Sequence, residues 1–287
     1  MSFYISLSGL KAAQADLSTT ANNVANVNST AFKKSKAVFG DIFAAAPMQT
    51  TTQVAGQGVR TLGVNQQFTQ GTIETTDKTL DLAITGEGFF SVKRTADNQV
   101  SYTRNGAFSV DENRFVVDTT GARLQVIPVD DATGQPSAAT ATAITNNTLA
   151  TGDLVDLQVP TNWPSGGTGN QLTSVGVSEE GKITAVYADG STHYLGAVAM
   201  AAFNSQEGLR QQGDAHWTST NASGPALLGI GNSGLYGAVR SGSLERSNVD
   251  ITEELVNLIS AQRNFQANSK AIEAANTLST TIVNMRS

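Results

Sequence analysis

The chain has no cysteine, which excludes disulfides and every thiolate metal site. Histidine is almost as scarce. His193 and His216 are the only two, and neither stands at a ligand-like spacing from a second metal-binding group. Charge is also thin. Asp, Glu, Lys and Arg make up 15% of the 287 residues, against roughly 25% in ordinary globular proteins. Long apolar runs are missing. The longest, Leu195 to Phe203, is nine residues, half of the roughly 18 needed to cross a membrane. The opening residues, MSFYISLSGLK, have no basic stretch ahead of an apolar core, so no secretory signal is expected. A formal charge of −6 with a single basic cluster, Lys33, Lys34 and Lys36, argues against a nucleic-acid groove. Three lysines after a helix read as a solvated face.

Thr, Ser, Asn and Gly take the place of the missing charges. A surface that is polar but weakly charged packs closely against copies of itself, because few ions have to be desolvated. The length is ample for a sizeable core in one large domain or two smaller ones.

Both ends of the chain are patterned as helices. Near the N-terminus Phe3, Leu10, Leu17 and Val24 recur every seven residues, and Ala13, Thr20 and Val27 follow three after the last three of them. That is a heptad seam of the coiled-coil kind. The helix should end within Asn22–Asn28, since Asn competes for backbone hydrogen bonds and favours termini. At the other end Asp250 with Glu253 forms a capping-box-like start. An apolar repeat follows through Ile251, Leu255, Leu258, Phe265, Ile272 and Ile282, with no Gly or Pro from Ile251 to Arg286. A helix of about 35 residues would be about 50 Å long, and its opposite face is poor in charge.

The region between reads as antiparallel β. Short alternating runs at 80–85, 89–93, 99–103, 108–110, 114–118, 123–128 and 181–187 are separated by turn residues such as Asp97-Asn98, Asp111-Glu112-Asn113, Glu180-Gly181 and Asp189-Gly190. No long helical pattern interrupts them, so a sandwich- or barrel-like body is expected rather than a parallel sheet. Residues 44–64 and 131–170, rich in Thr, Ala, Gly and Pro, read as extended or loop-like connections. The fold class is therefore mainly β with α-helical termini that pair as a coiled coil around an antiparallel β body. The expected divisions are 1–30 with 250–287 as the helical part, 31–75 as an extended or β linker region and 76–249 as the β domain.

Catalytic chemistry finds no foothold. No Ser, His and Asp are arranged around a nucleophile elbow. Asp111, Glu112 and Asp118 read as hairpin flanks rather than acid–base carboxylates. Gly229–Gly234 matches the G-x-G-x-x-G pattern, but Gly237 and Gly242 follow, so the helix that a pyrophosphate needs is absent. Asn146 and Asn221 stand in N-x-S/T sequons that mean little without a secretory signal. No cofactor and no metal is expected.

Four blocks carry a resemblance. ANNVANVNSTAFKKSKAVFGDIF (21–43), TLDLAITGEGFFSV (79–92), YTRNGAFSVDENRFVVDTTGARLQ (102–125) and the stretch from GSLERSNVD to NMRS (242–287) resemble, in order, the signatures of the bacterial flagellar axial proteins of the rod and hook group. The segment 203–229 is similar to the one preceding the last helix in hook members. The signature positions are Asn22, Asn23, Asn26, Phe32, Asn105, Gly106, Asn248 and Asp250. Within the group, the first 27 residues are most similar to hook subunits, with distal rod subunits second. The stretch 126–202 is too short for the extra outer domain that hook members commonly carry.

The resemblance implies a structural subunit without enzymatic activity. It would leave the cell through the flagellar type III export apparatus and polymerise into a hollow helical tube. Its terminal helices would form the inner layer, and its β body the outer one. Its partners would be copies of itself and other axial proteins, namely rod, hook–filament junction and hook cap, with no nucleic acid and no membrane insertion. It would reside in the flagellum, in the extracellular hook as a flexible joint or in the basal body if it is rod.

Overall fold

The computed structural model describes residues 2–42, 56–95, 97–163 and 169–285, without the side chains of Ser2, Ile282 and Val283. The fold class read from the sequence holds. Three helices lie among the described residues, the first and last pack against each other, and every strand pairing is antiparallel. The chain separates into two compact units. One comprises 1–28, 33–68 and 248–287, the other 29–32 and 69–247.

The helical unit holds α1 (Ser2–Ala25), a hairpin of β1 (Ser35–Asp41) and β2 (Val59–Gln66), and the last helix. Helix α1 ends inside the asparagine run: the Asn26 backbone N–H and its side-chain amide both donate to the Asn22 carbonyl. The hairpin is fastened to α1 where Ser8 Oγ accepts from the Val59 N–H at 3.2 Å. Gly58 makes this possible, since its φ of +111° and the Ser8 hydroxyl 2.3 Å from its missing Cβ leave no room for a side chain. Residues 59–64, read as extended or loop-like, are extended as a strand, and the expectation for 44–55 lies outside the described residues.

The β unit is built from β3 (Ile73–Thr75), β4 (Leu82–Thr85), β5 (Phe89–Lys93), β6 (Val100–Thr103), β7 (Ser109–Val110), β8 (Val116–Val117) and β9 (Arg123–Ile127), then α2 (Ala138–Thr145). There follow β10 (Val155–Asp156), β11 (Asn162–Trp163), β12 (Asn170–Val177), β13 (Lys182–Tyr187), β14 (Thr192–Val198), β15 (Met200–Ala202), β16 (Arg210–Gly213), β17 (His216–Thr218), β18 (Leu227–Gly229), β19 (Ala238–Ser241) and β20 (Ser243–Glu245). The spine runs β11-β12-β13-β14-β9-β5-β6-β17-β16, with β15 added to β5 and β19 paired with β4. Strand β5 is central and buried on both faces. One face contributes Phe90 and Val92 to a core with Leu82, Ile84, Leu124, Val126 and Met200. On the other side Phe89 meets Phe203 and Trp217 edge-on, with ring centroids 5.8 Å apart in each case. Each such fully buried side chain contributes about 1.5–3 kcal/mol, so this unit holds its own core. The nine-residue apolar run is no membrane segment. It crosses the middle of the sheet as β14 and β15, and among the described residues no helix is long and apolar enough to span a bilayer.

Within 131–170, of which 164–168 lie outside the described residues, the departure from an extended or loop-like connection is one short α-helix. Ser137 caps a two-turn helix, accepting from the Thr140 N–H, and β10 and β11 pair with β9 and β12. An eight-residue Ala/Thr segment is too short for periodicity to reveal. Its cap, and not its pattern, is the signal.

Candidate functional site

The long last helix, α3 (Ile251–Asn284), starts at Asp250, whose carboxylate accepts from the Thr252 and Glu253 N–H groups. Those backbone bonds hold the Asp250 pKa below its ordinary value. The helix runs antiparallel to α1: Asn23 bonds Glu254 and Gly9 touches Asn268. The covered stripe on α3 is Glu254, Leu258, Ala261, Phe265, Asn268, Ile272 and Ala275, spaced alternately four and three. On α1 the covered surface is broader: residues 6–10, Ala13, Asp16, Leu17, Thr20, Asn23 and Val24 are all buried or half-buried. α1 and α3 thus pack against each other along these covered faces.

The middle of this seam is small. Ala13, Thr20 and Ala261 are buried, whereas Leu10, Leu17, Val24, Leu258, Phe265 and Ile272 are half-buried along its margins. Among the predicted seam residues Phe3, Ile251 and Leu255 are exposed, and the side chain of Ile282 lies outside the described residues. The helices approach so closely that a Cβ on Gly9 would stand 2.7 Å from Asn268 Oδ1.

One end of the seam is locked by polar groups that periodicity did not single out. Asn23 is buried. Its amide donates to the Ser35 carbonyl at 2.8 Å and to Glu254 Oε2 at 3.1 Å, and its oxygen accepts from the Ser35 N–H at 2.9 Å. Lys34 Nζ lies 2.8 Å from Glu254 and 3.1 Å from Glu253. Burial would lower the Lys34 pKa, but these two carboxylates outweigh it and hold it above its ordinary value. Asn248 accepts from the Lys34 N–H and donates to the Gln67 carbonyl. Around this lock lies a polar groove of about 450 Å³, lined among others by Asp16, Asn23, Lys36, Asn257 and Ser260. Burial, and then the nearby Glu254 charge, push the Asp16 pKa up. The basic cluster is thus a solvated face only at Lys36, which is exposed. Lys33 is buried and Lys34 is ion-paired, because the chain leaving α1 enters β1 directly beneath the start of α3. Glu254 was legible only as the seventh residue before Ala261, itself seven before Asn268.

The other faces of α3 are uncovered. Leu255, Val256 and Ile259 are 45, 58 and 48% exposed, and Leu278 65%. Every described α3 side chain from Asn276 on is exposed. Phe39, Leu62 and Val64 are exposed on the β1–β2 hairpin. The helix is thus polar and charge-poor, with a bare apolar strip along it.

The chain matches the family models for the flagella basal body rod protein over residues 3–33, the flagellar hook protein FlgE/F/G D1 domain over 83–185, and the flagellar basal body rod FlgEFG C-terminal region over 240–285. It is 32% identical to the flagellar basal-body rod protein FlgG of Borreliella burgdorferi, over 94% of this chain and 93% of that one. The chain belongs to the flagellar hook and rod family.

This family membership makes it a structural flagellar component and not an enzyme. The FlgG rod protein of Bacillus subtilis is 30% identical over 99% of this chain and 98% of its own. The flagellar hook protein FlgE of Escherichia coli is 28% identical over the whole of both chains, in an alignment of 410 positions. The solved Helicobacter pylori hook protein FlgE2 aligns with a TM-score of 0.24 at 14% identity, over 51% of this chain and 38% of its own, too slight a likeness to carry an argument.

The family signature residues now have places. Asn22 and Asn26 end α1 and Asn23 locks it, while Asn248 and Asp250 tie down the entry to α3. Asn105 accepts from the Ala107 N–H. Gly106 lies against β4, where a Cβ would fall 1.7 Å from the Leu82 oxygen. Phe32 is half-buried beside the fully buried Ala31.

Asp111, Asp118 and the two histidines are bound to neighbouring groups of the fold. Asp118 Oδ2 lies 2.7 Å from His216 Nε2, with both buried. Burial would raise its pKa, but His216, Thr120 and the Ala122 N–H outweigh that and lower it. His193 lies 2.8 Å from Asp131 and 3.2 Å from Ser191 Oγ. This resembles a hydrolytic triad only in composition, because the serine hydroxyl donates to Asp189 at 2.6 Å and Trp163 covers the imidazole with centroids 4.6 Å apart. Asp111 accepts from the Phe115 N–H in a hairpin turn. The glycine pattern at 229–234 leads from β18 through a turn to β19, with no helix. Among the described residues no cluster could hold a metal ion.

Proposed function

We propose that this chain is a hook subunit. Copies assemble through their helical units into a hollow helical tube that acts as a flexible joint, carrying torque from motor to filament. The observation that supports assembly is the bare strip of Leu255, Val256 and Ile259 on a helix whose opposite stripe already packs on α1. Burying three such side chains in each subunit contact contributes several kcal/mol, at about 1.5–3 each. The few charges allow neighbouring surfaces to exchange contacts as the tube bends. Such a subunit reaches its place through the flagellar export apparatus and meets rod, junction and cap proteins at the ends of the tube. The full-length match to E. coli hook protein and the N-terminal likeness to hook subunits support hook over rod.

The distal rod is the second reading. It is favoured by the near-complete mutual coverage with rod proteins in an alignment of 298 positions, where the 410-position hook alignment shows that E. coli FlgE carries residues this chain lacks. Two measurements test the proposal. The double substitution Leu255→Asp and Ile259→Asp is expected to abolish polymerisation of the purified chain while leaving the monomer's melting temperature unchanged. Normal assembly of that variant overturns the subunit reading. Labelling of intact cells then separates the two sites: reactive subunits outside the outer membrane mean hook, and protected ones mean rod.

A further inference from the structure

The β unit contains a buried ion pair that neither its core nor the assembly surface explains. Arg104 Nη1 lies 3.4 Å from Glu245 Oε2, and both side chains are essentially inaccessible. The guanidinium also stands 5.3 Å from the Phe89 ring centroid, and Glu87 lies at 4.0 Å. The two residues come from separate signature stretches, YTRNGAF and GSLERSNVD.

The position of Glu245 gives the pair a role. The β unit joins the rest of the chain through three segments, residues 29–32, those following Phe68 and those preceding Asn248. Glu245 holds all three. Its backbone oxygen accepts from the Ala31 N–H at 2.8 Å, and its Oε1 accepts from the Gly71 N–H at 2.8 Å. It lies itself in the third segment, on β20, which pairs with β3 through Glu245 and Ile73. The clasp is tight at both contacts. A Cβ on Gly71 would fall 2.0 Å from the Arg246 oxygen, and Ala31 is fully buried at φ 56°, a left-handed conformation that an alanine keeps only when its surroundings impose it.

We propose that Arg104 and Glu245 form a clamp that binds the three connecting segments into one bundle as they leave the β unit. Force arriving from the helices then enters the sheet along three backbones together instead of loosening them singly. A bare carboxylate could not sit in this place, since an unpaired buried charge is strongly unfavourable. Arg104 is thus the positioning residue that lets Glu245 collect the segments. The mechanical consequence rests on the torque-bearing reading above. The clamp itself is a property of the monomer, so its test is independent of assembly.

Residue-resolved hydrogen exchange on the full-length monomer provides that test. Glu245→Gln keeps the size of the side chain but removes its charge. It is expected to speed exchange at the Ala31 and Gly71 amides about tenfold or more, while the core amides of Ser91 and Val198 keep their rates. Arg104→Lys, the milder variant should the first not fold, is expected to give the same selective loosening. A uniform rise at all four amides, or no change at Ala31 and Gly71, overturns the clamp.

Discussion

The two units solve the same problem of burial in opposite ways. The β unit closes over its own aromatic and aliphatic side chains, and Phe89, Phe90, Val92 and Ile127 lose all contact with solvent. In the helical unit, burial is confined to a narrow stripe whose centre is alanine and threonine, and the larger side chains stay at its margins or outside. One unit is complete as a monomer. The other is held by a polar lock and a thin seam, and it leaves apolar surface for other molecules. This difference teaches where to look for function in a protein without chemistry: at the unit that does not finish its own core.

Glycine offers the sharpest way to break the comparison. Gly106→Ala sets a methyl group against a backbone oxygen that cannot withdraw, so a loss of about 3 kcal/mol or more is expected. A drop in the β unit's thermal midpoint would show it. An unchanged midpoint would mean the β unit is as forgiving as the helices.

A similar but somewhat smaller effect is expected from Asp118→Asn, which leaves His216 with a neutral partner in a buried site, at about 3 kcal/mol. The sign of its pH dependence follows from the lowered folded pKa. The stabilisation from Asp118 is complete above the ordinary aspartate value of 3.8 and is lost as pH falls through the lower folded value. Between 3.8 and that lower value, acid titration of unfolding should therefore be shallower in the variant than in the parent.

The smallest effect belongs to the helices. Gly9→Ala meets the end of a side chain, Asn268, which can turn away at the expense of its bond to the Asn264 carbonyl. The helix gains about 1 kcal/mol from alanine and loses about as much with that hydrogen bond. A net change within about 0.5 kcal/mol is expected by chemical denaturation. A large loss would show the seam to be as rigid as the sheet.

Much of this was legible beforehand. Heptads at 10, 17 and 24 and at 258, 265 and 272 located both helices, because a period near 3.5 records which side chains share a face. Strands such as Phe89–Lys93 were bounded by turn residues whose backbone preferences are local. The lock was only partly legible. Asn23 and Asn248 stand among the signature positions, but Asn23 and Lys34 lie more than 200 residues from their partners Glu254 and Asn248, and no periodicity marks a hydrogen bond across that gap. The groove beside the lock, the pairing of His216 with Asp118 and the small α2 helix were hidden for related reasons.

What the sequence determined by itself was the set of local preferences: two long helices, many short strands and few charges anywhere. What only the tertiary structure decided was which face of each helix is spent on its partner and which is left bare, and that Arg104 and Glu245 meet. Those outcomes depend on distances between remote parts of the chain, which exist only after the backbone has closed on itself.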